Sequence, residues 1–272
     1  MTQLATSTQE TSTVTSRDGT AIAYERAGSG PALVLVDGAM CSREMGPMAE
    51  LSEHLITDFT VYRYDRRGRG ESGNTHPYDP LREVEDLQAL IQAAGGSAHV
   101  FGMSSGGVLA LEAANRLPGI TKLAIYEAPF IVDDTRAPLP EGFVETLEAC
   151  VAQGRPGDAA KLFMKSVGMP APLVAVMPFF PGWEKTKKAA ATLPHDYRIL
   201  GGTQAGKPLP RDRWTKIEIP TLVIAGGKSQ AWMHNGAKAL SELLGAEYQS
   251  LPGQTHAVKA QVLAPVLRAF FR

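Results

Sequence analysis

The feature that most constrains the fold is a series of short apolar runs separated by segments of helical spacing. Ala32–Val36 reads A-L-V-L-V, with no polar residue to turn toward water. Runs of this kind suit strands buried on both faces, as in a parallel sheet covered by helices. Further strand signals fall at Thr60–Tyr64, Ala98–Phe101, Lys122–Tyr126, Pro220–Ala225 and Glu247–Leu251. Helical stretches separate them at about Pro47–Leu55, Pro80–Ala94, Ser105–Leu117, Ala231–Leu244 and Ala257–Phe271. In the second of these, Leu81, Val84, Leu87, Leu90 and Ile91 recur at helical spacing. Ahead of the first run, Val14–Glu25 reads as a hairpin around Asp18-Gly19. With that hairpin the chain predicts an α/β fold whose mostly parallel, eight-stranded sheet is flanked by helices.

The alternation stops after Pro129. From 131 to 210 the chain is rich in proline and shows only short helical patterns, at Gly142–Gln153, Pro156–Val167, Ala171–Met177 and Trp183–Leu193. The domain reading is therefore a core made of 1–130 and 211–272, with a helical cap at 131–210 inserted after the sixth strand.

Charge and composition exclude several classes of function. Lys and Arg number 27 against 28 Asp and Glu, a net charge of −1, so no field of one sign exists to recruit nucleic acid or an anionic membrane. No apolar run reaches the roughly 20 residues of a membrane helix. The Thr- and Ser-rich stretch Met1–Ser16 lacks a basic and an apolar region, so it reads as a frayed tail rather than a secretory signal. A cytoplasmic protein is expected. Its two cysteines, Cys41 and Cys150, have no metal-ligand spacing and read as free thiols. No metal or organic cofactor is implied.

The chemistry-bearing motif is Gly102-Met103-Ser104-Ser105-Gly106, set between an apolar strand and a helix. A strand–turn–helix of this kind forces the central serine into a strained backbone and projects its hydroxyl from the sheet. The following helix turns its N-terminal N–H groups toward the same space, where they favour developing negative charge. With this pentapeptide the chain resembles the α/β-hydrolase fold superfamily, over nearly all its length from the hairpin to Phe271. Asp65-Arg66-Arg67-Gly68-Arg69-Gly70-Glu71-Ser72 is similar to that family's D-x-R-G-x-G-x-S segment, and its arginines read as local pairs in a structured loop.

The resemblance implies the rest of a Ser-His-acid site. Val36-Asp37-Gly38-Ala39-Met40 ends the third strand, where relatives carry His-Gly; Asp37 replaces that His, and Gly38 or Ala39 with Ser105 is expected to form the oxyanion hole. His256, between the last strand and the last helix, occupies the family's base position. Of the other histidines, His195 has the best prospect of reaching the pocket as a substrate contact. The loop after the seventh strand, Ala225-Gly226-Gly227-Lys228-Ser229-Gln230, has Ser229 where relatives carry Asp. The acid is assigned instead to Glu127, which closes the sixth strand, with Asp133 and Asp134 as alternatives. The order Ser104, Glu127, His256 is that of the family.

The cap's large apolar residues predict an apolar pocket roof, with Met40, Met103, Met164, Phe179 and Trp183 as substrate-pocket candidates. The expected activity is hydrolysis of a carboxylic ester or lactone of moderately hydrophobic character, through an acyl-enzyme. Three alternatives stay open: a C–C bond hydrolase or a cofactor-free perhydrolase using the same triad, and a non-catalytic ligand-binding member of the fold. The expected partner is the small-molecule substrate, with homodimerisation left open.

Overall fold

The structure is a computed structural model that describes residues 11–272. Eight strands form one sheet in the order β1-β2-β4-β3-β5-β6-β7-β8. They are β1 (Thr11–Thr15), β2 (Ala21–Ala27), β3 (Ala32–Val36), β4 (Thr60–Tyr64), β5 (Ala98–Met103), β6 (Ile120–Tyr126), β7 (Thr221–Gly226) and β8 (Glu247–Leu251). Strands β1 and β2 pair antiparallel, as do β2 and β4; every pairing from β4 through β3 to β8 is parallel. One expectation is corrected at the N-terminal side. Thr11–Thr15 is not frayed but forms an edge strand in register with Ala21–Glu25. The rest of that segment, 1–10, lies outside the described residues.

The apolar runs divide their residues between the two faces, as the two-residue period of a strand requires. Leu33 and Leu35 pack with α1 (Met48–Leu55) and α10 (Ala260–Phe271), while Val34 and Val36 pack with α2 (Pro80–Ala93), α3 (Ser105–Ala114) and α9 (Ala231–Leu244). Both faces are covered, so neither needs a polar alternation. The hairpin strand β1 sits at the sheet edge and shows only alternating partial burial.

Between β6 and β7 the elements are helical: α4 (Phe143–Ala152), α5 (Pro156–Ser166), α6 (Ala171–Val176), a 3₁₀ turn at Met177–Phe179, α7 (Trp183–Ala190) and α8 (Leu193–Leu200). Helix α8 departs from the sequence reading, which ran one helix from Trp183 to Leu193. Pro194 explains the break: it lacks an N–H and suits the first turn of a new helix rather than the interior of an old one. Helix α8 packs on α3, α4 and α5, and all its residues except Arg198 are buried. Among the described residues no helix is long and apolar enough to cross a membrane.

The arginines of the Asp65–Ser72 segment reach further than local pairing predicts. Arg67 is fully buried, with Asp86 of α2 accepting from its Nη2 at 2.7 Å and Asp18 of the hairpin loop accepting from its Nη1 at 2.9 Å. Arg66 binds Glu83 of α2 at 2.7 and 2.9 Å and, 130 residues along the chain, Asp196 of α8 at 2.7 Å. Charges at this depth are tolerated only because each is paired and hydrogen-bonded.

Candidate active site

Ser104, Glu127 and His256 all follow strands at the carboxyl edge of the sheet. Ser104 links β5 to α3 with φ 55° and ψ −130°, a backbone conformation that costs a non-glycine residue energy. Neighbouring structure holds it there: its N–H donates to Tyr126 O at 2.9 Å, continuing the β5–β6 ladder. The glycine two residues on is required by close approach. A Cβ on Gly106 would lie 2.4 Å from both Val36 O and Asp37 O. Gly106→Ala is therefore expected to destabilise the fold by about 3 kcal/mol or more, because the obstructing atoms are backbone. Denaturant unfolding checks this, and a loss under about 1 kcal/mol would contradict it.

Glu127 is also strained, at φ 45°. Its carboxylate is fully buried and held at both oxygens. Oε1 accepts from Gly226 N at 2.7 Å, and Oε2 lies 2.8 Å from His256 Nδ1. Burial pushes this carboxyl up, but the hydrogen bonds from His256 and Gly226 help to outweigh it and hold the group below the usual range. Ser229, which stands where relatives carry Asp, buries its hydroxyl with no hydrogen-bond partner among the described residues. With Nδ1–H donating to the Glu127 carboxylate, Nε2 of His256 is the basic nitrogen.

The loop that carries His256 is tied down from three sides. Tyr126 Oη donates to Thr255 O at 2.6 Å, Lys228 N to Gln254 O at 2.8 Å, and Lys259 N to Gln254 Oε1 at 3.0 Å. The ring itself is about half exposed, with a relative side-chain accessibility of 45%. Asp133 and Asp134, the alternative acids, lie elsewhere: Asp133 bonds Thr135 and Asn235 at the surface.

Gly38 lies against Ser104, since a Cβ there would sit 3.0 Å from Ser104 Cβ and 3.5 Å from Ser104 Oγ. Ser105 begins α3 beside it. The backbone N–H groups of Ala39 and Ser105 have no hydrogen-bond partner among the described residues. Two unspent donors next to a serine hydroxyl are what a developing oxyanion requires. The replacement of His by Asp37 leaves these backbone donors untouched, because the Asp37 carboxylate lies beside Cys41 and Gly46 in its own loop.

Asp37 makes a prediction of its own. Its Oδ1 has no hydrogen-bond partner among the described residues, and burial pushes the carboxyl from 3.8 up to about 7 against the pull of Arg69 and Arg66. A folded value above the unfolded one means that stability falls as pH rises between the two, with the full cost present above the folded value. Asp37→Asn is expected to melt higher than wild type at about pH 8, by about 1–2 kcal/mol, with the difference shrinking toward about pH 4. Melting curves across that range check it; a difference that does not vary with pH would contradict it.

The residues expected to line the pocket fall in different environments. His195 is buried, stacks on Tyr78 at 3.7 Å between ring centroids, and burial pushes it down to about 4. Phe179 is 86% exposed, because the short 3₁₀ turn carries it outward rather than under the helices. Met103 points into the core on the α1 and α10 face. Trp183 packs α7 on α5, where a Cβ on Gly157 would lie 3.2 Å from its Cζ2. Met164 is buried on α5, and Met40 is half-buried at φ 64° in the loop after Gly38. A cleft of about 590 Å³, lined by Asp79, Arg116, Arg198 and Arg213 among others, contains none of these residues and none of Ser104, Glu127 or His256. Both cysteines are free thiols. The sequence reading passed over Asp196, and no spacing could have shown it.

An eight-stranded sheet with a strained serine after β5 and a carboxylate–histidine pair at the same edge defines the α/β-hydrolase class. The model of the Alpha/beta hydrolase family matches residues 22–264, and the chain belongs to that family. Among solved structures, an alpha/beta hydrolase from Sphaerobacter thermophilus DSM 20745 is 48% identical, with a TM-score of 0.87, covering 96% of this chain and 100% of that one. The enol-lactonase from Burkholderia xenovorans LB400 is 21% identical at a TM-score of 0.69, covering 96% and 99% of the two chains, a likeness of fold. An uncharacterized hydrolase of Bacillus subtilis, YraK, is 30% identical over 118 residues, which are 42% of this chain and 43% of that protein.

Proposed function

We propose that the protein hydrolyses a carboxylic ester or lactone through an acyl-enzyme on Ser104. The observation that carries the reading is the 2.8 Å bond between Glu127 Oε2 and His256 Nδ1, beside a serine in an elbow conformation. His256 Nε2 takes the Ser104 proton as Oγ attacks the carbonyl carbon, then returns it to the leaving alkoxide. Glu127 orients the imidazole and stabilises the imidazolium. Gly38 or Ala39 with Ser105 supplies the oxyanion donors. Water repeats the sequence on the acyl-enzyme and releases the acid. The helices of 131–210 act as the lid that selects the acid and alcohol portions.

The test treats the protein with a fluorophosphonate and reads its intact mass, alongside turnover of chromogenic esters and lactones. One adduct per chain, with turnover that stops as labelling completes, supports the reading. A folded protein that neither labels nor turns over any of them refutes it.

A further inference from the structure

The triad leaves the buried carboxylate of Asp196 unused. Asp196 is 1% exposed on α8, yet three donors converge on it. Arg66 Nη1 and Ser105 Oγ each reach Oδ1 at 2.7 Å, and Arg69 Nη2 reaches Oδ2 at 2.7 Å. Two of those donors continue to the backbone around the nucleophile. Arg69 Nη1 donates to Gly38 O at 2.6 Å, and Arg66 Nη1 to Asp37 O at 3.3 Å. Arg69 is further held by Thr192 Oγ1 on its Nε at 3.0 Å.

The geometry has a consequence for the Gly38–Ala39 peptide. A trans peptide directs its C=O and the following N–H to opposite sides. Holding Gly38 O on Arg69 therefore turns Ala39 N–H away from the arginine, and Gly38 itself lies against Ser104. The other unspent donor belongs to Ser105, whose side chain is fixed on the same carboxylate.

We propose that Asp196 and Arg69 are positioning residues for the oxyanion hole. Asp196 clamps Arg69 and Ser105 together, and Arg69 fixes the Gly38–Ala39 peptide so that the N–H groups of Ala39 and Ser105 converge on one oxygen. The clamp comes from α8, in the helical segment between β6 and β7, so that segment sets the geometry of a site built on the sheet. This inference rests on the acyl-transfer reading of Ser104.

The test compares wild type with Asp196→Asn and Arg69→Gln, each verified as folded by circular dichroism and melting. The readouts are kcat and KM on a p-nitrophenyl ester and the inhibition constant of a trifluoromethyl ketone. That ketone adds Ser104 Oγ to its carbonyl carbon; the carbonyl π electrons become an alkoxide in the oxyanion hole, and the serine proton passes to His256. Loss of a whole oxyanion donor costs about 10²–10³ in rate. Misaimed donors are expected to lower kcat at least about tenfold, with KM within about twofold and ketone affinity falling by the same factor as kcat. A merely structural role would not move kcat and ketone affinity together at constant KM. Unchanged kcat in a folded variant, or a kcat loss without the ketone loss, overturns the proposal. Should both variants fail to fold, Ser105→Ala keeps Asp196 paired with both arginines and removes one clamp bond; a parallel loss of about threefold or more is expected, and parity with wild type overturns the proposal. Wild type that neither turns over the ester nor binds the ketone covalently removes the acyl-transfer reading and this inference together. Active wild type beside unaffected variants removes this inference alone.

Discussion

Ser104→Ala is expected to abolish fluorophosphonate labelling and to lower ester turnover about 10⁴-fold or more, while the protein stays folded. The size of the effect follows from the mechanism. Without the hydroxyl no acyl-enzyme forms, and the residual rate is what the oxyanion donors and substrate binding provide on their own. Substrate affinity should change little, because Ser104 reaches the carbonyl mainly in the transition state. Ser104 is a strained position at φ 55°, and Ala keeps the same Cβ, so the melting temperature should move by only a degree or two. Intact mass after probe treatment and initial rates on a chromogenic ester check the prediction. Labelling of the Ala variant, or turnover within about tenfold of wild type, would exclude Ser104 as the nucleophile.

Glu127→Gln is expected to lower kcat at least about a hundredfold with KM nearly unchanged. The amide oxygen can still accept from Gly226 N, so the loop geometry survives. The other terminus then presents an NH₂ to His256 Nδ1, where a carboxylate oxygen now sits at 2.8 Å. A donor there selects the tautomer with hydrogen on Nε2, and the nitrogen that should remove the serine proton is no longer basic. Ser229 offers a sharper form of the test, because it lies in the loop after β7, three residues beyond Gly226, whose N–H donates to Glu127. Adding Ser229→Asp to Glu127→Gln is expected to restore at least about tenfold of the lost kcat by returning a carboxylate to the pocket. Steady-state kinetics on the three proteins decide it. Near-normal kcat in Glu127→Gln would remove the residue from the triad.

Most of the frame was readable because it is local. The run Ala32–Val36 has no polar residue, and a strand without polar residues has to be covered on both sides. The Gly102–Gly106 segment announces its turn because a serine between glycines, after an apolar strand and before a helix, has few alternative uses. That Glu127 has a partner was legible for a similar reason: an acid closing a buried strand is costly without one. Its partner lies 129 residues away, and chain order alone singled out His256.

Other features were hidden by physical causes that can be named. Helix α8 buries His195 and Asp196 along with its apolar residues, so polarity does not mark its exposed side, and its boundary with α7 depends on Pro194. Thr11–Thr15 looks like a polar tail because an edge strand exposes one face and borrows its order from β2. The apolar residues Phe179 and Trp183 share a composition but not a fate: one is carried outward by a 3₁₀ turn, the other packs between helices.

The alternation of strands and helices from Ala32 to Tyr126, the serine turn after β5 and the histidine after the last strand could be read from the sequence, because each is written in neighbouring residues or in chain order. Only the tertiary structure shows that Arg66 and Arg69 leave their own loop for Asp196, that this carboxylate also holds Ser105, and that Gly226 and His256 hold the two oxygens of Glu127. The physical reason is that a buried charge takes whatever partner the packing brings within hydrogen-bond distance, and packing joins residues that no local pattern relates.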